Sequence, residues 1–157
     1  MTDEEQKQLD NFRKTIDFSS FDNTGVVRRI EKPWGYELIL TPEDSPYVMK
    51  IEHVNAGCRL SLQVHDEKQE SWVKLSGDAI LVTENESGEM EEIVLEDRKG
   101  YHLKLGQKHR LKAGETDAEF LECSTPELGN TFRLEDDYNR STETEEMRSQ
   151  PDRGWQE

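Results

Sequence analysis

This sequence predicts an antiparallel all-β domain, and three observations carry the expectation. From Val26 onward the chain breaks into short runs rich in Val, Ile, Leu and Tyr, separated by glycine, proline, asparagine or acidic turns, as strands and their connections do. Inside the runs polar and apolar residues alternate with the period of two that gives a strand two distinct faces. Between Val82 and Ile93 the segment Glu84-Asn85-Glu86-Ser87-Gly88-Glu89 is polar and contains a glycine, which suits the loop of a hairpin. A length of 157 residues is enough to enclose one hydrophobic core and too short for two.

Residues 1–24 read as an N-terminal arm. A Thr2-x-x-Glu5 capping box precedes Leu9, Phe12 and Ile16 at helical spacing, so a short helix or a docking segment is expected there. The strands that follow are expected at Gly35 to Leu40, Tyr47 to Val54, Arg59 to His65, Glu70 to Leu75, Asp78 to Thr83, Glu91 to Leu95, Tyr101 to Leu105, His109 to Lys112 and Ala118 to Cys123. They belong to one domain over residues 25–140. Beyond Arg140 the composition is polar and nearly without apolar anchors, so residues 141–157 are expected to form a flexible acidic tail, with Trp155 the one side chain suited to docking.

The formal charge of −15 disfavours a nucleic-acid footprint and attraction to an anionic membrane, leaving small molecules or protein as partners. No apolar run reaches the length of a membrane span, and the start Met1-Thr2-Asp3-Glu4-Glu5 has neither the basic nor the apolar character of a signal peptide. A cytoplasmic protein is expected. Cys58 and Cys123 have no Cys-x-x-Cys partner and read as two reduced thiols.

Four donors define the candidate site. Gln63, His65 and Glu70 offer an amide oxygen, an imidazole nitrogen and a carboxylate, and a later glycine-led segment brings His109. This mixture suits a divalent first-row metal better than a soft thiolate site would. Alternation puts Gln63 and His65 on one face of their strand and Leu60, Leu62 and Val64 on the other. That apolar row calls for cover by the N-terminal arm or by a second subunit, which motivates a homodimer. After the turn at Asp66 to Gln69, alternation places Glu70, Trp72 and Lys74 together. Lys74 is then either a proton carrier or phosphate contact, or a solvated strand residue. His53 and His102 have no companion at ligand spacing and read as structural or exposed.

Gly57, Gln63, His65, Glu70 and Gly77 occupy in order the places of the first motif of the cupin superfamily, with Gln63 where that motif usually has its first histidine. Gly106 and His109 match the second motif, with Lys104 in place of its proline. Within the superfamily the chain resembles the type II mannose-6-phosphate isomerase domain, which also occurs at the C-terminus of bifunctional mannose-1-phosphate guanylyltransferases and itself carries glutamine at the position of Gln63. The segments that carry the resemblance are Lys32-Pro33-Trp34-Gly35, Lys50, Leu60 to His65, Glu70 to Val73, Ser76-Gly77, His109 to Leu111 and Arg133 to Arg140. It covers about Arg28 to Arg140, with Asn139 replacing a usual glycine.

The resemblance implies a double-stranded β-helix, the jelly-roll cupin barrel, in which Gln63, His65, Glu70 and His109 hold a divalent Zn, Mn, Fe, Ni or Co. It further implies a sugar-phosphate substrate and interconversion of mannose 6-phosphate and fructose 6-phosphate through an enediol. Lys50 and Arg133 match basic positions and are expected to meet the phosphate or the developing oxyanion. Glu135 is either the proton carrier or the salt-bridge partner of Arg133, and the salt bridge is the reading favoured here. Arg28, Arg29 and Lys32 either join Lys50 in a basic pocket or protect a β edge with charge. Two other functions fit the same donors: a non-catalytic metal- and sugar-binding module acting as sensor or partner subunit, and an oxygen-using metallocupin.

Overall fold

A computed structural model describes residues 1–20, 25–150 and 153; of Ser20 it describes the backbone alone. The first element is α1 (Asp3–Arg13), begun by the expected capping box. The Thr2 hydroxyl accepts from the Glu5 amide at 3.3 Å and the Glu5 carboxylate accepts from the Thr2 amide at 2.6 Å, so two of the helix's unpaired donors are satisfied locally. No residue of α1 is buried, and it therefore covers no apolar surface of the barrel. No helix among the described residues is long and apolar enough to cross a membrane.

Nine strands follow among the described residues: β1 (Arg28–Lys32), β2 (Gly35–Ile39), β3 (Val48–Val54), β4 (Leu62–His65), β5 (Glu70–Glu84), β6 (Met90–Val94), β7 (Gly100–His102), β8 (His109–Ser124) and β9 (Thr131–Glu135). All pair antiparallel in one curled sheet of order β1-β2-β3-β8-β4-β9, with β5 joining β8 to β6 and β7. The result is a jelly-roll barrel preceded by a short helix; the alternating pattern predicts the antiparallel strands, and the cupin resemblance implies their closure into this barrel. A four-residue helix, α2 (Glu145–Arg148), is capped by the Thr144 hydroxyl.

Two expected boundaries are absent. Glu70 to Leu75 and Asp78 to Thr83 form the single strand β5, and His109 to Lys112 and Ala118 to Cys123 form β8. The glycine and polar residues between them, which resemble turn residues, sit instead at register shifts between Lys74 and Ser76 and between Gly77 and Ala79. Such bulges bend a ladder without ending it. Strands β1 and β9 are additions to the expected set. Ile30 and Lys32 in β1, and Thr131 in β9, face inward at alternate positions.

The apolar core comprises Trp34, Val54, Trp72, Leu81, Leu111 and Phe120 with their neighbours, and it includes Leu60. That placement corrects the face assigned to Leu60 by alternation. The chain leaves strand geometry at Leu60 and Ser61, between the isolated bridge Arg59–Lys112 and β4, and the register shifts again between Leu62 and Gln63. A period-two count does not survive such a break. Leu60 and Leu62 are buried within the single chain and Val64 is half-buried, so the apolar row that suggested a second subunit is already sheltered.

The polar stretch beyond Arg140 makes contacts of its own. Glu143 pairs with Thr131 through both backbone groups, and the Arg148 guanidinium donates to the Gly129 carbonyl. Arg153 is buried. Trp155 lies outside the described residues.

Gly77 has φ of 74°, and a Cβ added there would lie 1.7 Å from the Asp117 carbonyl oxygen on the neighbouring strand. Gly77→Ala is expected to cost about 3 kcal/mol or more, because strain at positive φ is joined by a backbone collision. Gly88, at φ of 78° in the β5–β6 loop, has open space at the same position, and Gly88→Ala is expected to cost about 1 kcal/mol. Urea denaturation of the two variants checks the contrast.

Candidate metal centre

Three strands deliver the donors. β4 projects Gln63 and His65 from one face, β5 begins with Glu70 and β8 begins with His109, which pairs in register with Gln63. One ligand atom from each of His65, Glu70 and His109 lies within 4.8 Å of the other two. His65 Nε2 is 3.2 Å from Glu70 Oε1, and His109 Nε2 is 3.2 Å from Glu70 Oε2. All three side chains are buried.

The outer nitrogens fix which way the rings face. His109 Nδ1 lies 2.8 Å from the Gln107 carbonyl, which only accepts, so Nδ1 carries a proton and a neutral ring turns the Nε2 lone pair inward. His65 Nδ1 is 3.1 Å from Thr131 Oγ1, a hydroxyl able to accept from the same tautomer. Burial lowers the pKa of His65 despite the adjacent Glu70, favouring its neutral form. Neutral imidazoles then set lone pairs against the Glu70 carboxylate, whose buried Oε2 has no hydrogen-bond partner. A shared cation resolves that opposition. The donor set therefore fits a divalent ion of borderline softness.

Gln63 is the adjustable member. Its Nε2 lies 3.4 Å from Nε2 of both histidines while its Oε1 accepts from Ser61 Oγ at 3.0 Å. In this orientation it is a hydrogen-bond donor toward the rings. Turning the amide by half a revolution exchanges two atoms of nearly equal size and presents the oxygen as a ligand.

A shell of buried charge surrounds these donors. Lys68 binds Glu70 and reaches Glu122 Oε1 at 2.9 Å. Lys50 is 3.1 Å from Glu122, 3.3 Å from Glu127, 3.4 Å from Glu52 and 3.9 Å from Glu37. Arg153 reaches Glu127 at 2.5 Å, Glu143 at 2.6 Å and Glu37 at 3.1 Å. Burial pushes the Glu70 carboxyl upward, but the Lys68 ammonium beside it, with the two adjacent imidazoles, overcomes it and holds it well below the usual range. The same contest, settled by Lys32, Lys50 and Arg153, holds Glu37 at about 2.

The remaining expected site residues divide. Lys50 and Arg133 line the same cavity as Gln63, His65 and Glu70. Arg133 is paired with Glu143 at 2.6 Å and donates to the Ser141 carbonyl. Its expected salt bridge with Glu135 is not made: Glu135 is exposed and pairs with Arg110 at 2.7 Å, because the bulge at Leu62 and Gln63 takes it away from the inward row of Thr131 and Arg133. Lys74 lies apart from the donors, with Asp97 at 3.0 Å, which is the solvated alternative. Arg28 and Arg29 are surface residues near Glu43 and Glu31, whereas Lys32 is buried in the cavity wall. His53 stacks on Tyr36 with centroids 4.5 Å apart, and His102 accompanies Ser71 at 2.7 Å. Cys58 and Cys123 are free thiols.

Sequence reasoning missed Glu37, Glu52, Lys68, Glu122, Glu127, Glu143 and Arg153. A signal existed for Glu52: in β3 it shares a face with Lys50 and with Val54, the wholly buried end of that row. Charges at inward positions of a strand mark a buried polar site.

Comparisons with known proteins agree with this geometry. A family model described as mannose-6-phosphate isomerase C-terminal matches residues 20–142. The xanthan biosynthesis protein XanB of Xanthomonas campestris is 34% identical over 119 residues, which covers 73% of this chain and 24% of that protein. The alginate biosynthesis protein AlgA of Pseudomonas aeruginosa is 27% identical over 137 residues, or 83% of this chain and 27% of that protein. The chain thus spans about a quarter of the length of these relatives. Among solved structures, a Bacillus subtilis oxalate decarboxylase matches with a TM-score of 0.58 at 20% identity, over 76% of this chain and 31% of that chain. The capsular polysaccharide assembling protein CapF of Staphylococcus aureus matches with a TM-score of 0.55 at 15% identity, over 73% of this chain and 32% of that one. At these identities the structural likeness is one of fold.

Two substitutions test the site. Thr131→Val removes the partner of His65 Nδ1 and is expected to weaken divalent-metal binding about 10- to 100-fold, whereas His65→Ala removes most bound metal; elemental analysis and competition with a chelator measure both. Arg153→Ala leaves Glu37, Glu127 and Glu143 without a shared cation and is expected to cost about 3–5 kcal/mol near neutral pH. Because the folded state holds Glu37 near 2, against an ordinary value of 4.5, the stabilisation is present above about pH 5 and is lost as pH falls toward 2. The difference in urea midpoint between wild type and Arg153→Ala should shrink over that range.

Proposed function

Because the chain belongs to the mannose-6-phosphate isomerase C-terminal family of cupins, we propose that it is a metal-dependent sugar-phosphate isomerase domain interconverting mannose 6-phosphate and fructose 6-phosphate through an enediol. The observation that carries this reading is the convergence of His65 Nε2 and His109 Nε2 on the two oxygens of the Glu70 carboxylate, one each. The xanthan and alginate biosynthesis functions in the relatives' names support a sugar-metabolic role.

A divalent ion held by His65, Glu70 and His109, with Gln63 turned, would polarise the carbonyl and hydroxyl oxygens of the sugar and so stabilise the charge that develops on them. The protein's own residues do the rest. Arg133, with Arg140 and Arg148, lines the cationic part of the cavity wall and is the group offered to the phosphate. Lys50 has a different task. Ringed by four carboxylates, it offsets their charge and has little left for an anion. Trp72, its ring 5.3 Å from that of His109, keeps the back of the site dry.

The cavity bears equally on turnover and on binding without it. Its volume is only about 40 Å³, room for a few water molecules and far below the roughly 300 Å³ at which ligand pockets begin. Entry of a hexose phosphate requires side chains in the wall to move.

Purified protein loaded in turn with Zn, Mn, Fe, Ni or Co is expected to interconvert mannose 6-phosphate and fructose 6-phosphate, and to lose that activity with a chelator or in His65→Ala. Calorimetric binding of the sugar phosphate without turnover would establish the binding module instead. Arg133→Ala is expected to weaken sugar-phosphate binding about 10- to 100-fold, the loss of one charge-assisted contact, while metal content stays unchanged.

A further inference from the structure

We propose that Glu52 is the catalytic residue that carries the proton between the two reacting carbons of the sugar, an inference that rests on the isomerase reading above. Glu135, the carboxylate considered for that role from the sequence, is committed to Arg110 outside the cavity. Glu52 lies inside it. It is buried on β3, lines the same cavity as Gln63, His65 and Glu70, and has a buried Oε2 with no hydrogen-bond partner.

Ion pairing singles it out from its neighbours. Among the described residues six carboxylates, Glu37, Glu52, Glu70, Glu122, Glu127 and Glu143, lie in or against the cavity wall. Five of the carboxylates have a cation at 3.1 Å or closer. Glu52 has only Lys50 at 3.4 Å, and three other acids share that ammonium. The groups that act on it are Glu37, its register partner on β2, Glu122 on β8, Glu70 on β5 and Lys50 on its own strand. Burial, with Glu122, Glu37 and Glu70 acting in the same direction against Lys50, raises its pKa to about 8. A dication in the neighbouring site would draw it back toward neutrality, where an acid–base group is most effective.

The step balances without any oxidant. In the open-chain aldose, the Glu52 carboxylate takes the proton on C2. The C2–H electron pair forms the C1–C2 double bond, and the carbonyl π pair moves onto O1. The proton on O2 then passes to O1, the O2 electrons form the new carbonyl at C2, and the C1–C2 π pair takes the proton back from Glu52 at C1. The carboxylate is regenerated.

The test uses metal-loaded full-length protein and the variants Glu52→Gln and Glu52→Asp. Glu52→Gln keeps the shape and cannot take a proton. It should lower kcat about 10²- to 10⁴-fold and abolish exchange of the C2 proton with solvent deuterium, followed by NMR. Metal content and calorimetric affinity for mannose 6-phosphate should stay within about threefold. Wild-type kcat should rise with pH along a limb at or below about 8. Glu52→Asp, one methylene shorter, should retain a reduced kcat and the exchange reaction. It also tests the idea should Glu52→Gln not fold: an unchanged kcat in Glu52→Asp overturns it. So does turnover within tenfold of wild type in Glu52→Gln, or loss of its metal, which would make Glu52 structural. A wild type that binds metal and sugar phosphate but neither turns over nor exchanges the C2 proton overturns the isomerase reading, and the proposal with it.

Discussion

Both the barrel and its site hang on the bend in the β5–β8 ladder. These strands pair from Glu70–Ser124 at one end to Thr83–His109 at the other. A flat ladder would hold Glu70 and His109 roughly 40 Å apart, at 3.3 Å per residue. Their side chains meet, His109 Nε2 lying 3.2 Å from Glu70 Oε2. The register shifts around Gly77, where the backbone adopts a positive φ that other residues resist, let the two strands curl until their far ends meet. Closing the barrel and assembling the donors are therefore one event. β8 reinforces it by pairing with β3, β4 and β5 at once, so a single strand fixes His109 against Gln63 and supports the wall that carries Lys50 and Glu52.

The interior that this closure creates is unusual for its charge. Trp34, Trp72, Leu111 and Phe120 form a dry core on one side, and carboxylates and cations meet on the other. Desolvating so many ions is costly, and partner removal is costlier than pair formation is favourable. Such an arrangement is retained where the charges serve a purpose. Here the lysines and arginines keep most of the carboxylates ionised. At the centre of the arrangement His65, His109 and Glu70 set their donor atoms against one another.

That electrostatic arrangement also bears on substrate. A protein of charge −15 repels an anion at long range, and Lys50, the cation that motif matching favours for a phosphate, is spent on four carboxylates. Three other cations of the wall, Arg133, Arg140 and Arg148, come from the end of the chain's matched segment and just beyond it. On the isomerase reading, recognition of the phosphate would fall to β9 and the stretch from Arg140 to Arg148, and chemistry at the sugar carbons to β3, β4, β5 and β8.

The all-β class, the helix begun by Thr2 and Glu5 and the candidate grouping of His65, Glu70 and His109 were legible in the amino-acid order, because they rest on alternation, capping and fixed motif spacing. Much less was legible about side chains whose role depends on a distant partner. Alternation failed at Leu60 because a two-residue break resets it, and glycine at Gly77 resembled a turn although it marks a bulge. Whether Glu135 met Arg133 or Arg110, and whether Lys50 was free or encircled, was settled by the curl of the sheet, which brings together residues up to 116 positions apart, as Arg153 and Glu37 are. Which carboxylate lacks a close cation, Glu52, became definite only with the closed barrel, since electrostatic balance in a buried space is a property of everything that faces into it.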